Sequence, residues 1–123
     1  MSQINSFKDL IVYQKAYRLA MDIFEISKTF PNEEKYSLTD QIRRSSRSVT
    51  SCIAESWAKR RYVKSFINKL TDSLGEEYET EVWLDYSRDS PLIAHLSPLT
   101  GLHLGPQGHQ PRSKQGEVLG ING

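Results

Sequence analysis

Helix-breaking residues are almost absent from the first 89 positions and crowd the rest. Four of the five prolines and six of the seven glycines follow Asp89, together with all three histidines, whereas all twelve aromatic residues lie between Phe7 and Tyr86. Proline removes a helix hydrogen bond and clashes with the preceding turn, and glycine raises the entropy cost of ordering. Long helices are therefore open to residues 1–89. In residues 90–123, Pro91, Pro98, Pro106 and Pro111 interrupt every window long enough for one, which predicts an irregular tail.

Apolar residues before Asp89 recur at helical spacing. A first helix over about 7–30 is marked by Ser6 as a cap, by Asp9 in its first turn and by Leu10, Tyr13, Tyr17, Ala20 and Phe24 along one stripe; Pro31 stops it. A second helix over about 36–60 carries Leu38, Ile42, Ser45, Val49, Ile53 and Ser56 within about 60° of one another. A third over about 62–88 aligns Val63, Phe66, Ile67, Leu70, Leu74, Tyr78 and Leu84, with Glu77 and Glu81 on the same stripe and Trp83 pointing nearly the opposite way. Short connections between amphipathic helices predict an antiparallel up-and-down bundle.

The 123 residues suffice for one small domain, and 14 acids balance 14 bases before Asp89. A strongly basic nucleic-acid binder is not what this balance describes. One cysteine, Cys52, excludes an internal disulfide and fits a small buried apolar role. The start, MSQINSFKDL, lacks a signal-peptide pattern, and no apolar run reaches membrane-spanning length. A cytoplasmic protein without membrane contact is expected.

Three segments resemble one known family. "SFKDLIVYQKAY" (6–17), "QIRRSSRSVTSCIAESWAKRRY" (41–62) and "ETEVWLDYSRD" (79–89) occur in the order and spacing of the proteins encoded in intervening sequences of bacterial 23S rRNA genes. Cys52 stands where asparagine is usual in them and Ser56 where glycine is common. The resemblance implies an all-α four-helix bundle, of which three helices are clear and the fourth is replaced by the Gly/Pro-rich tail. A reading-frame change near codon 89 would account for that replacement, because "KQGEVLGING" can be encoded so that one dropped base yields an ending like the family's. Without a fourth helix, the groove between helices 1 and 3 should lie open. The resemblance also implies a homo-oligomer, with pentameric rings among its members.

Candidate contact residues fall into two sets. Arg43, Arg44 and Arg47 make one basic face, and Lys59, Arg60, Arg61 and Lys64 a second cluster at the turn after helix 2; both suit RNA phosphates, and a solvated charged face is the simpler alternative. Ser51, Ala54 and Ala58 form a small-residue strip fit for a subunit interface, with Trp83 as a further interface candidate. Glu55, Glu77 and Glu81 could converge inside a bundle, yet no histidine accompanies them before Asp89, so no metal site and no cofactor is expected. No catalytic residues are assigned, since no nucleophile–base pair, phosphate loop or zinc spacing is present.

A non-catalytic bundle that self-associates and binds RNA or an RNA-associated protein is the reading these features favour. The alternative is an accessory protein of a diversity-generating retroelement, which would bind a reverse transcriptase; a bundle metalloenzyme is the weaker alternative for want of ligands.

Overall fold

The computed structural model describes residues 3–90, and these form three long helices: α1 (Ile11–Ser27), α2 (Asp40–Ala58) and α3 (Val63–Asp89). Among the described residues there is no strand. The fold is an all-α helical bundle. The irregular tail assigned to 90–123 falls outside the described residues except for Ser90.

The chain opens on a capping box. Ser6 Oγ accepts the Lys8 amide at 2.9 Å, and the Asp9 carboxylate accepts the amides of Asn5 and Ser6 at 2.8 and 3.1 Å. These bonds close a single 3₁₀ turn over Phe7–Asp9, after which Leu10 is extended (φ −74°, ψ 129°). The expected first helix over 7–30 is therefore shorter and starts at Ile11. At its far end the amides of Lys28, Thr29 and Phe30 bond three residues back, which tightens the chain before Pro31.

A 3₁₀ turn (Asn32–Glu34) and a π turn (Lys35–Thr39) feed directly into α2, so the expected start near Tyr36 lies within this wound segment. Only residues 59–62 separate α2 from α3. So short a link forces the two helices to run antiparallel. Cross-links confirm the register, with Arg44 on Glu79, Ser45 on Thr80, Ser73 on Val49 O and Lys69 on Glu55: the α3 partner number falls as the α2 number rises. The end of α1 meets the beginning of α2 through Ser27 and Arg43, so α1 is also antiparallel to it.

Helix α2 packs on both neighbours. Ile23 of α1, Ile42 of α2 and Leu84 of α3 form the apolar centre, with Leu19, Phe30 and Trp83 against it; Leu38 makes a second cluster with Ile26, Phe30 and Trp83. The α2–α3 seam is of another kind. Ser45, Ser56, Ser73, Thr80 and Ser87 are all buried. Thr80 Oγ1 lies 2.9 Å from Ser45 Oγ, and Ser73 Oγ donates to Val49 O at 2.9 Å. Small hydroxyl side chains let the backbones approach while keeping their own polar atoms satisfied.

The stripe expected on α3 is only partly the buried one. Leu84 is buried, but Val63 (66% exposed), Ile67 (52%), Leu74 (49%) and Tyr78 (58%) are open. The side of α3 against α2 carries serine and threonine, whose burial hydrophobic periodicity does not register.

Candidate interaction surfaces

The arginines of the first basic set are held by different partners. Arg44 bonds Glu79 at 2.6 Å and lies 3.6 Å from Glu76. Glu79 also accepts the Trp83 indole N–H at 3.1 Å, and this bond, then Arg44, holds its carboxyl below the usual range against the opposing effect of burial. Arg44 is thus a structural link between α2 and α3. Arg43 turns the other way: its Nε donates to Ser27 Oγ at 2.7 Å and its guanidinium sits 4.7 Å from the centre of the Phe24 ring. Arg47 lies 5.5 Å from the same centre. Arg43, Arg47, Phe24 and Ser51 line one open cleft on the outer side of α2.

The second basic set stands at the α2–α3 turn. Lys59, Arg60, Arg61 and Lys64 are all exposed, as is Tyr62 between them. Arg60 stacks over Trp57 at 4.3 Å and donates to its carbonyl at 2.9 Å. Thirteen residues separate Arg47 from Arg60, which at the helical rise of 1.5 Å per residue places the two basic regions roughly 20 Å apart.

Ser51 and Ala58 are exposed and Ala54 is half-buried, so the small-residue strip lies on the outer side of α2. Trp83 is placed otherwise than expected. It is half-buried against both apolar clusters and fixed to Glu79, and so it seals the core of its own chain. Helical angle alone set it opposite to Leu84's neighbours; in the bundle that direction faces α1 and the 30–38 connection.

The three glutamates do not converge. Glu55 pairs with Lys69, which also reaches Asp72. Glu77 lies beside Glu81 at the margin of the open apolar face of α3. Burial first, then hydrogen bonding and repulsion from Glu81, push its carboxyl up to about 7. Among the described residues no three His, Cys, Asp or Glu side chains gather as a metal site. Cys52 is buried beside the seam, and burial raises its thiol above the ordinary value. His95, His103 and His109 lie outside the described residues.

Sequence reasoning missed three features. Phe24 and Ser27 position Arg43, but both read as core positions of α1. Glu76 and Glu79 neutralise Arg44, and only their i, i+3 spacing pointed to a shared partner. The apolar residues left open on α3 read as buried because they obey the helical period.

No described helix is long and apolar enough to cross a membrane. Comparison with curated proteins and with solved structures gave no match. A family model described as 23S rRNA-intervening sequence protein matches residues 8–97, which covers α1, α2 and α3 and runs past Asp89. With the helices and the three sequence segments in agreement with it, the chain belongs to the 23S rRNA-intervening sequence protein family.

Proposed function

We propose that this protein is a non-catalytic subunit that self-associates into a homo-oligomeric scaffold. The observation that carries this reading is the open apolar face of α3, where Val63, Ile67, Leu74 and Tyr78 are about half exposed or more. Contiguous apolar surface of this kind marks a contact site on a soluble domain. The outer strip of α2, with Ser51, Ala54 and Ala58, supplies a second surface on which a helix can lie close. Light scattering on the purified chain tests the reading: an oligomer is expected, reduced by Leu74→Lys and by Ala58→Arg with helicity retained. A monomeric unmodified chain sinks it.

A second role, contact with RNA or an RNA-associated protein, is supported by the turn between α2 and α3. Four exposed cations surround an exposed tyrosine there, and Arg60 is stacked on an indole. Cations interleaved with aromatic rings suit a phosphate backbone with unstacked bases. Binding of a labelled RNA should weaken steeply with salt and weaken further on neutralising Lys59, Arg60, Arg61 and Lys64. No binding at low salt retires this role.

A further inference from the structure

Phe24 is surrounded by cations. Lys28 Nζ lies 5.0 Å from its ring centre, Arg43 4.7 Å and Arg47 5.5 Å. Lys28 is partly neutralised by Glu25 at 3.2 Å. Arg43 and Arg47 are one helical turn apart on α2, and among the described residues neither makes an ion pair. Their neighbour Arg44, by contrast, meets both Glu76 and Glu79. Like charges one turn apart on a helix destabilise it unless something offsets them. The ring beneath them offsets part of this through its quadrupole, and an anion above them would offset the rest.

Arg43 is also held in advance. Ser27, itself buried, donates to Phe24 O at 2.9 Å and accepts from Arg43 Nε at 2.7 Å. That contact uses Nε, so the two terminal amino groups, which can grip two oxygens of one phosphate, are not consumed by it. The cleft in which the pair sits is open and is also lined by the Ser48 and Ser51 side chains, with Asp40 as its one acid.

We propose that Arg43 and Arg47 above Phe24 form a seat for one backbone phosphate of an RNA strand. This rests on the RNA role given above. A polymer is favoured over a small free anion because the second basic cluster lies roughly 20 Å further along α2. A single phosphate could occupy the seat alone, but only a chain of phosphates uses both regions.

Fluorescence anisotropy of the full chain with a labelled single-stranded RNA tests the seat. Arg43→Gln with Arg47→Gln should weaken binding about tenfold and lower the salt slope by about 1.4, the value for two lost contacts to a single strand. Ser27→Ala keeps every charge, so it should weaken binding severalfold with an unchanged slope, in protein shown by melting to be folded. Lys15→Gln, an exposed residue elsewhere on α1, serves as the charge control and should change little. A double variant that binds like this control overturns the seat. So does a Ser27→Ala protein indistinguishable from the unmodified chain, or inorganic phosphate that binds as tightly as RNA. Binding lost only when Lys59, Arg60, Arg61 and Lys64 are neutralised overturns the seat and leaves the RNA role standing. An unmodified chain that binds no RNA removes both.

Discussion

Helices α2 and α3 pack against each other, yet they treat apolar residues in opposite ways. On α2 the large apolar residues point inward: Ile42 is fully buried and Ile53 nearly so. On α3 the side pressed against α2 is built from Ser73, Thr80 and Ser87, while Ile67, Leu74 and Tyr78 stand about half open or more. The difference lies in the number of neighbours. Helix α2 runs between α1 and α3, so every direction except its outer strip is covered. Helix α3 is covered by α2 along one side only, and close approach there favours small side chains. Burial therefore follows where a partner helix lies, and hydrophobicity sets only what a partner would gain.

The largest effect should come from the shared centre. Ile42→Ala removes a side chain with no exposure, touching both flanking helices, and should cost about 2–5 kcal/mol in urea unfolding. A loss comparable to that of a surface substitution would show that α2 is not the organising helix.

Next comes the small-residue seam. Ser45 is fully buried beside Thr80. Ser45→Val is more hydrophobic yet larger, and it should destabilise by about 1–3 kcal/mol because the helices must move apart. A stabilised variant would mean that the serine serves polarity alone and that the seam has room.

Glu77 sharpens the comparison through pH. Its carboxyl is raised from 4.5 to about 7 in the folded chain. Between these values the folded state holds a proton that the unfolded state has released. The associated stability is fully present below about 4.5 and is lost as pH rises through about 7. Glu77→Gln should flatten this decline and stabilise the protein above neutrality by on the order of 1 kcal/mol, discounted for the solvent that reaches the group. Thermal melts across this pH range check it; equal slopes for both proteins would place Glu77 in ordinary solvent.

The smallest stability effect belongs to the open face. Leu74→Ala should change stability of the isolated subunit by less than about 0.5 kcal/mol. A loss as great as that of Ile42→Ala would show that something covers the face within the chain.

The three-helix plan was legible in the sequence because helical periodicity and the distribution of proline and glycine are local properties. The α2 stripe needed no correction at Leu38, Ile42, Ser45, Ile53 or Ser56, all of which are buried. The break at Leu10 was less legible. A serine cap followed by an acid reads as a helix start, and nothing local told a single closed turn from a continuous helix. The basic residues were visible as charge. What was not visible was that Arg44 is spent on Glu76 and Glu79 while Arg43 and Arg47 stand over Phe24, since those partners are distant in sequence.

The sequence by itself determined the helices, the turns between them and the family, because each depends on neighbouring residues or on ordered motifs along the chain. Only the tertiary structure decided which face of each helix is inside. Trp83 went to the core and Leu74 to the surface although the period of α3 suggested the reverse, because a helical stripe specifies an angle about one axis. What lies at that angle depends on where the other helices pass, and in this bundle α1 and α2 close over Trp83 and leave Leu74 without a described neighbour.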